Sequence, residues 1–315
     1  MTKKHQNSTR ILRAFSSHLR FGLLGQNLDR LFHVIKGPSF CGQSGDGMDF
    51  ALNHMTVAKQ SYVQLLDTAK SLGMIGIEVR NDLPQALFDG TEPAVAGEMA
   101  RAKGLRILTL AEVKRFNDWS QDKAVEALAL MKIAVAAGAE AVSLIPRNDN
   151  LAMGEAERRA ALKTAMTALK PMLEDHRLTG MVEPLGFEIC ALRYKSEAVE
   201  AIDALGAKGR FKLVHDTFHH ALAHGGPIYP EYTGIVHISG VVDPSVKLAQ
   251  MTDAHRILVD GHDRLGNVDQ IKALRAAGWN GAVSYEAFAP QTHASATPAQ
   301  DLCASMDFIR AGLAA

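Results

Sequence analysis

Eight alternations of a short apolar run with a longer helical pattern, beginning at Phe50, constrain the fold of this chain most strongly. Such alternation is typical of parallel strands joined by crossover helices. The length of residues 48–312 is close to the roughly 250 residues that are typical of a (β/α)8 barrel. An open doubly wound sheet would need a glycine-rich phosphate turn after the first strand, where this chain reads Asn53-His54-Met55-Thr56. We therefore predict an α/β fold, a single-domain (β/α)8 TIM barrel with an irregular N-terminal extension.

The boundaries of the predicted elements follow from apolar periodicity and from glycines that stop several helices before the next strand. The predicted strands are Phe50–Met55, Ile75–Arg80, Arg106–Leu110, Ala141–Ile145, Gly180–Leu185, Phe211–Asp216, Gly234–Ser239 and Ala282–Phe288. The predicted helices are Ser61–Leu72, Pro93–Lys103, Gln121–Ala137, Gly154–Asp175, Ser196–Leu205, Phe218–Ala223, Val268–Ala277 and Thr297–Ala311.

Four of the predicted strands carry an acidic residue or a histidine near their carboxyl ends. Glu183, Asp216, His237 and Glu286 occupy these positions on four consecutive strands. Each of these residues alone would be an ordinary solvated or hydrogen-bonded side chain. Because barrel active sites form where the strands end, however, we expect all four to converge at the mouth. Carboxylates with one imidazole predict a site for one divalent cation, Mn²⁺, Mg²⁺, Co²⁺ or Zn²⁺.

The composition excludes several classes of protein. Lys+Arg and Asp+Glu number 34 each, so no global charge favours nucleic acid or an anionic membrane. The three cysteines lack the spacing of a disulfide framework or a thiolate zinc site, which is consistent with a cytoplasmic setting. No apolar run reaches the roughly 20 residues that a membrane span needs.

Residues 1–47 differ from the rest and are predicted to be a separate, poorly ordered extension before a barrel domain at 48–315. This segment is basic and poor in acids, with Asp29 and Asp46 as its only acidic residues. That composition resembles a transit peptide, and a short amphipathic helix is also compatible with its leucine spacing. We favour the interpretation that Met48 is the natural start and that upstream sequence or an unstructured leader precedes it, since Met48-Asp49-Phe50 runs directly into the first predicted strand.

Four motifs on the last four strands resemble those of a known family. They are Glu183-Pro184-Leu185-Gly186, Asp216-Thr217-Phe218-His219, Val236-His237-Ile238 and Ser284-Tyr285-Glu286. With them, residues 48–312 are similar to the xylose-isomerase-like (AP endonuclease 2 superfamily) sugar isomerase/epimerase barrels. Within this superfamily the chain is most similar to the 2-keto-myo-inositol (inosose) isomerases, through Ile77-Glu78-Val79-Arg80 and Glu286-Ala287-Phe288-Ala289-Pro290 among others.

The resemblance implies an isomerase in which Glu183 and Glu286 are both metal ligands and the acid/base pair. Asp216 and His237 would be ligands only. Removal of a proton beside a carbonyl would give an enediolate that a bound divalent cation stabilises.

The resemblance also implies contacts with substrate. His219 matches a substrate-binding histidine after the sixth strand, although helix capping would also explain it. Arg256 matches an arginine that binds substrate hydroxyls, but the turn at Val259–Gly266 departs from the family pattern. Glu78 could reach the barrel mouth and bind substrate, or form a structural ion pair with Arg80.

Three functions remain open at this point. The first is a keto-inositol isomerase or a keto-sugar epimerase, with a small-molecule partner and a possible homo-oligomer. The second is an inosose-type or 3-dehydroshikimate-type dehydratase, because the same enediolate can eliminate water. The third is an apurinic-site endonuclease, which the neutral charge balance disfavours.

Overall fold

Eight parallel strands close into one barrel in chain order, so the predicted TIM barrel is confirmed. The computed structural model describes residues 47–149 and 152–315, and the predicted extension at 1–47 lies outside them except for its last residue. The strands are β1 (Phe50–Asn53), β2 (Gly76–Arg80), β3 (Arg106–Lys114), β4 (Ala141–Ile145), β5 (Thr179–Val182), β6 (Phe211–Asp216), β7 (Thr233–Ile238) and β8 (Val283–Tyr285).

Helices surround the barrel and follow the strands in chain order. They are α1 (Tyr62–Ser71), α2 (Pro93–Ala102), α3 (Gln121–Ala137), α4 (Glu155–His176), α5 (Lys195–Ala204), α6 (Thr217–Leu222), α7 (Asn267–Ala276), α8 (Pro290–His293) and α9 (Pro298–Ala314). No helix of the described ranges is long and apolar enough to cross a membrane.

Three strands end two or more residues earlier than the sequence predicts, for local reasons. β1 stops at Asn53 because its side chain accepts a hydrogen bond from the backbone N–H of Met55 and caps a 3₁₀ turn. β5 stops before Glu183-Pro184, since proline has no N–H to continue the ladder. β8 stops before Glu286, and the N–H of Phe288 donates to the Arg256 carbonyl instead.

The interior of the barrel is apolar below and polar at the mouth. A buried cluster fills its lower part, formed by Ala51, Leu108, Val214, Ile235 and Ala282. Two residues further along the same strands stand Asn53, Asp216, His237 and Ser284, all buried. Side chains alternate between the two faces of a strand, so these polar residues share the inward face with the apolar cluster. The same backbone geometry therefore positions both the core and the site.

Candidate metal and active site

The four predicted ligands converge at the carboxyl end of the barrel. Glu183, Asp216, His237 and Glu286 each offer a ligand atom, and these four atoms all lie within 4.8 Å of one another. All four side chains are buried, with Glu183 the most exposed at 4%. Three acids this close in a water-poor site repel each other unless positive charge lies between them.

The two carboxylate oxygens of Asp216 make different contacts, because this residue both ends β6 and is the N-cap of α6. Its Oδ1 accepts a hydrogen bond from the backbone N–H of His219 at 2.9 Å. Its Oδ2 faces the barrel axis, 2.5 Å from Nη2 of Arg256. The cap fixes the carboxylate so that one oxygen remains directed at the other ligands.

His237 is oriented by a carboxylate behind it. Its Nε2 lies 3.1 Å from Oε2 of Glu78, whose other oxygen accepts from Ser284 at 2.5 Å. The Nδ1 atom lies 3.2 Å from Glu286 and 3.6 Å from Glu183, yet no hydrogen bond of good geometry satisfies it. A histidine held on one nitrogen by a carboxylate, with the other nitrogen directed at further carboxylates, is the arrangement of a metal-binding imidazole.

The electrostatic surroundings of His237 also favour positive charge at its ring. Burial would lower the pKa of this imidazole, but the negative charges of Glu78 and Glu286 raise it well above 6.5. The positive charge placed there by a proton can equally be supplied by a cation bound at Nδ1. The residues therefore fit a divalent metal ion.

The pKa values of the two glutamates diverge although both side chains are buried. Burial, and then the negative charge of Glu286, raise the pKa of Glu183 to about 7. Burial alone would also raise the pKa of Glu286, but His237, Arg256 and Arg80 together lower it. With no cation between them, Glu183 would therefore take up a proton more readily than Glu286, because only Glu286 is offset by nearby positive groups.

Two buried guanidinium groups contact Glu286 from different sides. Arg80 donates from Nη1 to Oε1 at 2.8 Å and also pairs with Asp82 and Glu112. Arg256 donates from Nη2 to Oε2 at 3.0 Å. These contacts hold the carboxylate ionised and fix its orientation.

Arg256 keeps its place at the site although the turn that follows it is unusual. Backbone hydrogen bonds in both directions join Gly240 to Ile257 and hold the returning loop against the end of β7. The guanidinium lies over the rings of Phe288 and Phe218 at 4.5 and 4.9 Å and donates from Nε to Ser239 at 2.9 Å.

A cavity of about 390 Å³ opens above the ligands, large enough for a sugar or a cyclic polyol. Its lining combines charged and apolar groups contributed by several strand ends. The residues include Arg80, Glu112, Lys114, Glu183, Phe187, His219, Arg256, Glu286 and Phe288.

The predicted substrate-binding residues occupy different positions. His219 and Arg256 line the cavity beside Glu183 and Glu286. Glu78 is not part of this lining, because it lies behind His237, in contact with Nε2 of the imidazole. The structure therefore favours for Glu78 the role of holding the imidazole rather than the predicted contact with substrate.

The sequence analysis missed residues that support the site from neighbouring strands. Asn53 donates from Nδ2 to Glu286 at 3.2 Å, and Ser284 donates to Glu78. Glu112, beside Arg80, lines the cavity, and burial raises its pKa. Strand alternation in the sequence does place Asn53, Glu78 and Ser284 on the inward face of the barrel. It does not predict which side chains these residues contact.

The fold and the cluster together define a (β/α)8 barrel with a carboxylate–imidazole site at its carboxyl-terminal mouth. The profile described as xylose isomerase-like TIM barrel matches residues 66–312. The chain belongs to that family.

Solved structures of similar proteins cover most of the chain. A xylose isomerase domain containing protein from Salmonella typhimurium LT2 is 26% identical, with a TM-score of 0.77 over 85% of this chain and 98% of that one. An IOLI protein with a bound zinc atom is 19% identical, with a TM-score of 0.72 over 85% and 98%. A D-psicose 3-epimerase from Clostridium cellulolyticum H10 is 14% identical, with a TM-score of 0.67 over 84% and 99%. No curated protein matches the chain.

Proposed function

We propose that this protein is a metal-dependent isomerase that interconverts keto-inositols or epimerises a keto sugar through an enediolate. The observation that carries the proposal is the convergence of two glutamates, one aspartate and one imidazole within 4.8 Å at the base of a sugar-sized cavity. The similarity to a zinc-containing IOLI protein and to a sugar epimerase supports the same class of reaction.

Glu183, Asp216, His237 and Glu286 would hold one divalent cation, Zn²⁺, Mn²⁺, Co²⁺ or Mg²⁺. When bound, such an ion polarises a carbonyl and stabilises negative charge on the neighbouring oxygens. The unsatisfied Nδ1 of His237 supports this assignment from the protein side.

Glu183 and Glu286 would move the proton in this proposal. Both line the cavity, and both belong to the ligand cluster at its base. One of the two carboxylates would remove a proton from the carbon beside the carbonyl, and the other would return one from its carboxylic acid form. Return to the same carbon from the other face gives an epimer, and return to the neighbouring carbon gives an isomer.

His219 and Arg256 would orient the substrate. The imidazole of His219 and the guanidinium of Arg256 line the same cavity and offer donors for carbonyl and hydroxyl oxygens. The rings of Phe187 and Phe288 give apolar surface for the C–H face of a sugar. We place this small-molecule enzyme in the cytoplasm, in line with the sequence-based expectation.

A dehydratase on the same barrel is the main alternative, because the enediolate can also lose water. An apurinic-site endonuclease has less support. Among residues 47–149 and 152–315, the ligand cluster described above is the only group of its kind, whereas such nucleases need several zinc ions.

Elemental analysis followed by proton exchange tests the proposal. We expect a single divalent cation per chain and exchange of the α-proton with D₂O on one of a panel of inososes and ketoses. Product analysis then separates the reactions, since elimination yields an unsaturated product of lower mass. Purified protein that holds no metal, takes none up and exchanges no α-proton across the panel would refute the isomerase.

A further inference from the structure

A second cavity, of about 280 Å³, adjoins the first and shares His219 with it. It lies between the loop after β5, the start of α5, and α6 with the loop that follows α6. Its described lining contains Arg193 and Lys195, three histidines, and neither aspartate nor glutamate. This composition is the reverse of the acid-rich barrel mouth.

Lys195 is the central residue of this cavity. It is 8% exposed, and its Nζ lies 2.7 Å from Nδ1 of His215 and 3.0 Å from Nδ1 of His220. No carboxylate of the described residues forms an ion pair with it. Burial accordingly lowers the pKa of Lys195 to about 7, and only the more distant charge of Asp216 opposes this shift.

Buried charges in proteins are normally paired, because removal from water is costly without an opposite charge nearby. The histidines accept hydrogen bonds from the amine but carry no negative charge to balance it. His215 is held on its other side by Gln270, at 2.9 Å from Nε2, so this ring does not turn away freely. An anion in the cavity would supply the missing charge.

Other groups around the cavity also favour an anion. The Nε and Nη2 atoms of Arg193 donate to the carbonyls of Gly186 and Leu222 at 3.0 and 3.1 Å, and its Nη1 lies 4.0 Å from the exposed carboxylate of Glu188. Tyr194, the N-cap of α5, makes no side-chain hydrogen bond to the first turn, where the N–H of Glu197 donates to the Tyr194 carbonyl and the N–H groups of Lys195 and Ser196 start the helix. Such N–H groups and the helix dipole attract negative charge.

His219 provides an independent sign that polar groups here lack a partner. This residue is 4% exposed and lines both cavities. Its Nδ1 has no hydrogen-bond partner among the described residues. Buried polar atoms normally have a hydrogen-bond partner, so we expect a ligand oxygen to lie near this ring.

We propose that the cavity between α5 and α6 binds the phosphate group of a small molecule, seated on Lys195, Arg193 and the first turn of α5. A volume of about 280 Å³ exceeds what a bare phosphate fills, which leaves room for the part that carries it. The inference does not depend on the proposed isomerase reaction, because binding is measured without turnover.

The test compares inorganic phosphate binding, by calorimetry at constant ionic strength, between the wild-type metal-loaded protein and two lysine variants. Lys195→Met keeps the aliphatic stem and removes the charge, so we expect phosphate to bind about tenfold or more weakly. Lys208→Met is the matched control, since the Lys208 side chain is 45% exposed and outside the cavity lining. Its affinity for phosphate should equal that of the wild type.

Equal phosphate affinity in Lys195→Met and wild type, or no phosphate binding by wild-type protein, would overturn the proposal. The first of these results would place phosphate elsewhere, for example on the metal. Arg193→Met is the second variant, which keeps the question decidable if Lys195→Met does not fold. It should also weaken phosphate binding, whereas unchanged affinity would contradict the site.

Hexose phosphates and the matching free hexoses distinguish two sources of the phosphate group. A hexose phosphate that binds more tightly than either phosphate or the free sugar, and loses this advantage in Lys195→Met, is a single molecule spanning both cavities past His219. Equal binding of phosphate and the hexose phosphates, again lost in Lys195→Met, identifies a separate phosphorylated ligand. Both results support the site and differ only in what fills it.

Discussion

Two buried polar regions meet at His219, and they differ in how their charged side chains are balanced. At the barrel mouth, positive or imidazole groups lie between four buried acids. His237 lies beside Glu78, Glu183 and Glu286, and the guanidinium groups of Arg80 and Arg256 contact Glu286, with Arg256 also contacting Asp216. In the cavity between α5 and α6, Lys195 faces only histidines. Where opposite charges are supplied, Glu286 stays ionised; where none is supplied, the pKa of Lys195 falls to about 7. Burial is common to both regions, so the difference lies in the partners.

Neighbouring residues of β6 belong to different regions, because their side chains point to opposite faces of the strand. Asp216 points into the barrel toward Arg256, while His215, the residue before it, points outward to Lys195 and Gln270. Adjacent side chains of a strand face opposite sides of the sheet. A one-residue step on β6 therefore leads from an acid-rich site to a cavity whose described lining contains neither aspartate nor glutamate.

Loss of either glutamate should give the largest effect. In Glu183→Gln and Glu286→Gln, we expect turnover to fall by about 10²–10⁴-fold, because the amide transfers no proton. Circular dichroism should show an intact barrel. Glu188→Gln is the control, since this loop carboxylate is 75% exposed and should leave turnover unchanged. Full activity in either barrel-mouth variant would remove these residues from the acid/base role.

Glu78→Gln should act through the metal rather than through the proton transfer. Loss of the carboxylate behind His237 should weaken metal affinity by about 10–100-fold, as is typical of groups that orient a ligand. Glu112→Gln is the control, because Glu112 lines the cavity without contacting His237. Metal titration measures both. A Glu78→Gln variant with normal metal affinity and a raised KM would restore the predicted substrate contact.

Lys195→Met should stabilise the protein, by about 1–4 kcal/mol, because it removes a buried charge that has no acid partner. The folded-state pKa of about 7 lies below the ordinary value of 10.5, so the unfolded chain binds more protons between these pH values. The cost of Lys195 is therefore complete below pH 7 and fades as the pH rises toward 10.5. Thermal unfolding of both proteins from pH 6 to pH 10 measures this convergence. A difference that grows with pH would show that Lys195 is not a buried, unbalanced cation.

Removal of residues 1–47 should have the smallest effect. All side chains that form the two regions come from Asn53 or later, so we expect turnover and melting temperature to match the full chain. Activity assays and thermal unfolding of the shortened chain check this. A drop in turnover would instead mean that the extension contributes to the site.

The fold and the convergence of the four candidate ligands were predictable from the sequence because both rest on local patterns. Eight apolar runs alternating with helical patterns predict the barrel, and Glu183, Asp216, His237 and Glu286 stand where four of those runs end. The ends of β1, β5 and β8 were placed too late, because an Asn cap, a proline and a diverging loop stop the ladders there. Strand ends depend on single hydrogen bonds that periodicity does not report.

The partners of Glu78 and Lys195 were not predictable in the same way. Glu78 contacts His237, 159 residues away in the chain, and Lys195 looks like an ordinary surface residue at the start of a helix. The residues that neighbour Glu78 and Lys195 in the sequence do not predict which distant side chains these two residues contact.

By itself, the sequence determined that strands alternate with helices and that acids and a histidine occupy the last strand ends, since short-range periodicity specifies both. Only the tertiary structure decided that Glu78 contacts His237 and that Arg80 and Arg256 both donate to Glu286. It also decided that Lys195 is buried without an acidic partner. The physical reason is that charge balance in a buried site depends on distances between side chains from remote segments. Those distances exist only once the barrel has closed.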